Sequence, residues 1–145
     1  MALHLQFASL SLSASVDQQT GNLSVFEIVE EIRAPQVPFQ IQTLVIALSL
    51  YRSDPHQNGG MLSIDLTSPD EVVTRVGHGE LGIPDQQRRM KAVFRFANFP
   101  IRQFGVYTFV LSWTGPTGEK EGEASLDFEV MQAESKTPPI PPMAH

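Results

Sequence analysis

Residues 104–113 read Phe-Gly-Val-Tyr-Thr-Phe-Val-Leu-Ser-Trp. From Tyr107 to Trp113 every second residue is large and apolar, and the residues between them are threonine, valine and serine. A β-strand with one buried face produces this period of two, because successive side chains point to opposite sides of the strand. The stretch therefore predicts a strand whose odd-numbered residues face a core.

The same alternation recurs on both sides of this stretch, and no window has apolar residues at helical spacing over the length of a helix. Segments rich in glycine, proline, asparagine and aspartate separate the runs and predict turns. Strands are predicted at about residues 3–16, 22–32, 41–50, 62–66, 71–76, 90–96, 107–113 and 124–130. This pattern indicates an all-β protein, an antiparallel β-sandwich of about eight strands.

The length of the chain and the distribution of its prolines predict one domain and a tail. The 145 residues are 41% hydrophobic and 18% charged, which is the balance of a single globular domain. We assign the domain to residues 1–132. Residues 133–145 contain four prolines and lose all alternation, so they predict a flexible, proline-rich tail. Residues 136–142 have the general form of an SH3-domain ligand, although a solubilising tail is the simpler interpretation.

Composition argues against several partners. The chain has no cysteine, which excludes disulfides and zinc sites with sulfur ligands and fits a reducing, cytoplasmic location. No apolar run reaches the roughly 18 residues of a membrane span. A net charge of −6 argues against nonspecific binding of nucleic acid, which depends on neutralising phosphates.

Charge is segregated along the chain. Residues 86–118 contain no carboxylate and five cations, which leaves −11 for the remainder. The cations Arg89, Lys91 and Arg95 alternate with apolar residues, and so do four carboxylates of the last strand. Those four are Glu121, Glu123, Asp127 and Glu129. We expect the basic and acidic stripes to coat opposite outer faces of the sandwich.

No motif specifies a catalytic, cofactor or metal site. Residues 77–82 match the GxGxxG pattern of dinucleotide-binding folds, but no helical pattern follows, so a flexible loop is the preferred interpretation. The four histidines lack the spacing of a metal site, and no serine has the sequence context of a hydrolase nucleophile. The residues therefore predict a protein that is not an enzyme.

Residues 104–109 resemble the tyrosine corner of immunoglobulin-like domains. In that corner the hydroxyl of a tyrosine at the start of strand F bonds back to the backbone, two residues before a core position. Tyr107 would be this tyrosine, and Phe109 would stand where antibody domains have a cysteine. The tryptophan of strand C has no counterpart, since Leu48 or Leu50 stands in that region. The resemblance implies an immunoglobulin-like sandwich that is not an antibody domain.

Residues 4–130 also resemble an uncharacterised bacterial family of small single-domain proteins. The resemblance rests on the turn at residues 21–23, the proline-bracketed connection at residues 35–39, the apolar strand at residues 44–50 and the late element at residues 105–109. It implies a sandwich fold and a bacterial or phage source. It implies no chemistry.

A binding face is predicted from two uncharged strand faces. If residues 41–50 and 106–112 form strands C and F of an immunoglobulin-like sandwich, they are neighbours in one sheet. Their outward residues would then merge into a weakly apolar patch, built from Val45, Ala47, Val106, Thr108 and Val110. Such patches mark association sites.

The sequence therefore predicts a non-catalytic protein-interaction module, an adaptor or a subunit of a larger assembly. It would bind a protein partner or a second copy of itself. The alternative is a sandwich that binds a small ligand or carbohydrate through exposed aromatics such as Tyr51.

Overall fold

A computed structural model describes residues 3–53, 60–83 and 87–133. In these ranges the chain forms strands and turns, and none of the residues belongs to a helix that could cross a membrane. The tail predicted at residues 133–145 lies outside the described residues except for Ala133. The strands are β1 (Leu3–Val16), β2 (Leu23–Ile28), β3 (Glu31–Ala34), β4 (Phe39–Arg52), β5 (Met61–Thr67), β6 (Val73–Glu80), β7 (Arg89–Ile101), β8 (Gly105–Thr114) and β9 (Lys120–Gln132).

The strands form two sheets that pack face to face, which confirms the predicted β-sandwich. The four-stranded sheet has the order β2-β1-β4-β7, and the five-stranded sheet has the order β3-β9-β8-β5-β6. Strand β3 pairs in parallel with β9, and the other pairs are antiparallel. Strands β7 and β6 are therefore edges of their sheets, and so are β2 and β3.

The core lies between the sheets where the alternation predicts it. Fully buried side chains of β4 are Leu44, Ile46, Leu48 and Leu50. The facing sheet contributes Phe109 and Leu111 from β8, whose odd-numbered residues all point inward. Phe109 stacks on Phe96 with ring centroids 5.8 Å apart, so aromatic side chains join the two sheets.

The described residues form nine strands, because the run at residues 22–32 is two strands. Glu27, within β2, has a φ of +58°. Strand β2 ends at Ile28 and pairs with β1, whereas β3 begins at Glu31 and pairs with β9 in the other sheet. The apolar residues of this run shift phase between Val25 and Phe26, which predicts a bulge or bend, and the unusual backbone of Glu27 lies there. The change of sheet comes after it, at residues 29–30.

The apolar residues of β1 change from odd to even numbers near Ala8 and Ser9, which predicts a bulge, and the pairing of β1 with β4 shifts between Leu5 and Phe7. It pairs with β4 only as far as Ser11 and continues to Val16 paired with β2. Residues 13–26, which we call the covering hairpin, thereby leave the edge of β4 and lie over the outer face of the four-stranded sheet.

Polar and apolar contacts hold the covering hairpin in place. Ala14, Leu23 and Val25 pack with Val45, Ala47 and Val93 in a second, small apolar cluster. The guanidinium of Arg95 donates to the carbonyl oxygen of Ala14 at 2.9 Å, and the Lys91 ammonium donates to that of Gly21. The apolar alternation of residues 10–16 predicts that Ser9 and Ser11 face water, which is wrong, because both are buried on this covered face.

The basic and acidic stripes lie in different sheets, on β7 and β9, as predicted. Glu121 is an exception. Trp113 pairs with Gly122 and Thr114 with Lys120, so Glu121 is the extra residue of a bulge and turns inward. Its Oε2 accepts a hydrogen bond from the backbone N–H of Leu3 at 2.8 Å, which ties the start of β1 to β9.

The predicted tyrosine corner is present. The Tyr107 hydroxyl donates to the carbonyl oxygen of Gln103 at 2.9 Å and accepts from the Gln103 N–H at 3.2 Å. Gly105 makes the intervening turn with a φ of +131°, and a Cβ there would lie 2.8 Å from the Pro69 side chain. The corner fixes the chain as it enters β8.

We expect Tyr107→Phe to lower the free energy of unfolding by about 1–2 kcal/mol, because it leaves both backbone groups of Gln103 without their partner. Tyr51→Phe is the matched control. Tyr51 is 40% exposed, and its ring contacts His4 rather than a backbone group. Urea denaturation of both variants measures the difference, and equal losses would show that the corner contributes nothing specific.

Candidate functional site

The structure separates the residues of the predicted binding face. Val45 and Ala47 lie on β4 in the four-stranded sheet, whereas Val106, Thr108 and Val110 lie on β8 in the five-stranded sheet. The prediction of one merged patch is therefore wrong. The alternation predicts which side of each strand faces outward, but β4 pairs with β7, and β8 pairs with β5 and β9.

Val45 and Ala47 are 0% exposed because the covering hairpin lies on them. The apolar residues on the outer face of β4 thus pack against the chain's own hairpin.

The outer face of β8 is open but narrow. Val106 is 46% exposed, and Thr108 and Val110 are partly exposed. Directly across the strands stand Glu129 opposite Val106 and Asp65 opposite Val110. Carboxylates thus flank the uncharged residues of β8 and limit any apolar patch there.

The inner face of β7 is packed less completely than that of its neighbour β4. Its inward-facing residues Met90, Ala92, Phe94 and Phe96 are all partly exposed. Their cross-strand partners on β4, Leu50, Leu48, Ile46 and Leu44, are fully buried. The two sets share one face of one sheet, so the difference arises because no strand of the described residues lies beyond β7.

Strand β6, the edge of the facing sheet, does not cover them. Its positions opposite the core residues Ile64 and Leu62 are Gly77 and Gly79. A Cβ at Gly77 would make ordinary contact with Ile64 at 3.5 Å, and a Cβ at Gly79 would have no atom within 4 Å. The first two glycines of the GxGxxG match thus lie on a strand, not in the predicted loop, and they leave room beside the core. We call the gap between β6 and the free edge of β7 the open side.

Toward the end of β7 the open side deepens into a cleft of about 700 Å³. Its apolar lining includes Leu66 and Val76 from the five-stranded sheet and Phe96 and Phe99 from β7. Polar groups stand around it, namely Ser68, Asp70, Arg95, Arg102 and Gln103. An apolar cleft with a few polar groups at its rim is the usual form of a binding site.

The carboxylate at the rim is held in its charged form. The Ser68 hydroxyl donates to the Asp70 carboxylate and keeps the pKa of that carboxyl below its usual value. The rim therefore combines the Asp70 carboxylate with the guanidinium of Arg102.

The described residues show no cluster of metal-ligating side chains. Three or more histidine and carboxylate side chains close enough to hold a metal ion are not found within residues 3–53, 60–83 and 87–133. The rim of the cleft carries one described carboxylate and no histidine. The cleft provides an apolar surface and charged groups, and the edge of β7 has backbone groups without a partner strand among the described residues. These features suit binding.

Residues 6–130 match a family described as "Family of unknown function (DUF6941)". The chain belongs to this family. The match covers every strand of the sandwich, apart from the first residues of β1 and the last residues of β9. No curated protein matches the sequence.

Solved structures resemble the chain in fold alone. A beta-glucosidase from Listeria innocua in complex with isofagomine aligns with a TM-score of 0.50 at 8% identity, over 88% of this chain and 16% of the enzyme. Its complex with glucose aligns with a TM-score of 0.49 at 9% identity, over 86% and 16%. The N-terminal domain of PorA gives 0.27 at 9% identity, over 86% and 97%. The chain thus spans about a sixth of the enzyme it matches.

Sequence reasoning missed the open side, although two signals for it were present. Gly77 and Gly79 alternate in phase with the inward residues of a strand, where side chains that fill a core are expected. Lys91 and Arg95 alternate with Ala92, Phe94 and Phe96, and charged side chains of this kind are typical of an edge strand. Neither signal is decisive until the strand order shows that β6 and β7 are both edges.

Val45→Asp and Val110→Asp are expected to have opposite outcomes. The first places a charge beneath the covering hairpin, where Val45 is 0% exposed, and should cost at least about 3 kcal/mol of stability. The second lies on an open face and should change stability by less than about 1 kcal/mol. Melting temperatures of both variants measure this, and a Val45→Asp protein as stable as Val110→Asp would contradict the covered face.

Proposed function

We propose that the chain is a non-catalytic protein-interaction module that binds an extended segment of a partner protein along its open side. The observation that carries the proposal is the contrast between β4 and β7. Apolar side chains that face the core from β7 are partly exposed, while their partners one strand away are fully buried. An added strand at this edge would complete their burial.

The physics of strand addition supports this function. The unpaired N–H and C=O groups of an edge strand can hydrogen-bond to an extended peptide, and alternate side chains of that peptide then enter the adjoining pocket. Each side chain that becomes buried would add about 25 cal/mol per Å² of apolar area removed from water. The open side provides both the edge, on β7, and the pocket, the cleft lined by Phe96 and Phe99.

The length of the edge favours a protein over a small molecule. Strand β7 has 13 residues, which at about 3.3 Å per residue span roughly 40 Å. A ligand that fills the cleft would leave most of this edge unpaired. A protein segment could follow it.

We further propose that the sandwich is of the immunoglobulin-like type. The order β9-β8-β5 matches strands G, F and C of that fold, and the corner at Tyr107 stands at the start of the strand equivalent to F. On this reading β4 and β7 are strands B and E. The residues assigned to strand C from the sequence therefore belong to strand B.

The second candidate is a sandwich that binds a small amphipathic ligand, such as a carbohydrate, in the same cleft. The volume of about 700 Å³ favours it, because ligand pockets commonly enclose roughly 300–1,000 Å³. Tyr51, the aromatic predicted for this function, does not line the cleft. A saturable rise in melting temperature with an added ligand would support this candidate.

Site-specific photocrosslinking tests the leading proposal. A benzoylphenylalanine at Thr74 would stand at the cleft, and one at Ser125 would stand on the outer face of β9. Both positions are exposed on strands, which makes them matched sites for the probe. Irradiation of cells that naturally produce the protein is expected to give a discrete protein adduct from position 74 and none from position 125.

The same experiment can refute the proposal. Equal adducts from both positions would show that the open side is not preferred. No protein adduct from position 74, with the variant folded and produced at normal levels, would show that no partner contacts the cleft.

A further inference from the structure

The direction of the backbone groups on β7 follows from one hydrogen bond. The carbonyl oxygen of Arg88, the residue before β7, accepts from the N–H of Arg52 at 2.8 Å. Strands β4 and β7 pair in one antiparallel register, which begins with Tyr51 opposite Arg89 and continues along β7. Backbone groups alternate sides along a strand, so the even-numbered residues from 88 to 96 bond to β4. The N–H and C=O groups of residues 89, 91, 93 and 95 therefore point to the free edge.

A strand added at that edge would have two distinct faces. Its residues paired with 89, 91, 93 and 95 would lie on the outer face of the sheet, beside Arg89, Lys91 and Arg95. Its intervening residues would lie on the inner face, beside Ala92, Phe94 and Phe96 and above the open space at Gly79. The inner face thus favours apolar side chains.

The outer face favours acidic side chains, because the charge of β7 is uncompensated. In the described part of the chain the ion pairs are Arg33 with Glu31, Arg75 with Asp65, and Lys120 with Glu123. None includes a cation of β7. Those cations bond to neutral oxygens, such as the carbonyls of Ala14 and Gly21 and the side-chain amide of Gln6.

We propose that the open side selects an extended segment in which acidic and apolar residues alternate. Such a segment would pair with the free edge of β7, place its carboxylates beside Arg89, Lys91 and Arg95, and bury its apolar side chains between β6 and β7. The inference rests on the proposed function and adds the chemistry of the partner. Charge complementarity of this kind contributes more to specificity and association rate than to affinity.

The test uses the full chain and labelled peptides of about seven residues, enough to span roughly 23 Å of strand. One peptide alternates glutamate and valine, the second alternates lysine and valine, and the third is the first with N-methyl groups at alternate residues. Fluorescence anisotropy measures the Kd of each. We expect the acidic peptide to bind, and the lysine and N-methylated peptides to bind at least about tenfold more weakly.

Two double variants test whether the cations beside the open side are responsible for binding the acidic peptide. Arg89→Glu with Arg102→Glu reverses exposed charges beside the open side. Arg33→Glu with Lys120→Glu makes the same change in net charge elsewhere, on β3 and β9. The first double variant is expected to raise the Kd of the acidic peptide by about tenfold, and the second to leave that Kd within about twofold of its native value.

Several results would overturn the inference. They are equal binding of the glutamate and lysine peptides, equal loss in both double variants, or unchanged binding of the N-methylated peptide. The comparison of peptides on the native chain remains decisive if a variant fails to fold. No peptide binding together with an adduct at position 74 would refute the acidic chemistry alone, whereas the absence of that adduct refutes the proposed function itself.

Discussion

An edge strand has half of its backbone hydrogen-bonding groups unpaired, and the side chains on its inner face have a neighbouring strand on one side only. This constraint governs the side of the sandwich where β6 and β7 face each other. Long edge strands with apolar inner faces invite pairing with another chain, and proteins usually block them with short strands, prolines or charges. Strand β7 carries the charges, all of one sign, yet it is 13 residues long and keeps phenylalanines on its inner face. Its cations discourage pairing with another basic edge and leave pairing with an acidic strand favourable.

Elsewhere the chain covers comparable apolar surface by itself. The outer face of β4 would expose Val45 and Ala47, but β1 bends beyond Ser11 and brings the covering hairpin over them. Arg95 and Lys91 of β7 donate hydrogen bonds to that hairpin. These basic residues therefore hold the hairpin in place and also give the outer face of β7 its positive charge. The two sides of β7 are therefore unlike. Its outer face supports the hairpin, and its inner face and free edge lack a covering element among the described residues.

Much of the fold can be predicted from the sequence, because the period of two is local. Alternation predicts the strands, the inward side of β4 and β8 and the bulge in β1, and the resemblance of residues 104–109 to a tyrosine corner predicts the corner at Tyr107. Strand order depends on contacts between residues far apart in the sequence, and alternation carries no information about it. For this reason the sequence predicts one shared face for Val45 and Val110, which lie on separate sheets, and one strand at residues 22–32, which form β2 and β3 in different sheets. Glu121 was misplaced for a similar reason, since a single-residue bulge reverses the face without changing the pattern around it.

The central claim is that β7 presents a free edge that an extended segment can complete. Hydrogen exchange of the backbone amides, followed residue by residue by NMR, tests it most directly. In the free protein the amides of Met90, Ala92 and Phe94 are expected to exchange slowly, because they donate to β4, and those of residues 91, 93 and 95 to exchange fast. Addition of the alternating glutamate and valine peptide is expected to slow the second set. Equal protection of both sets in the free protein would show that the edge is already covered, and unchanged exchange of the second set with saturating peptide would show that no strand is added there.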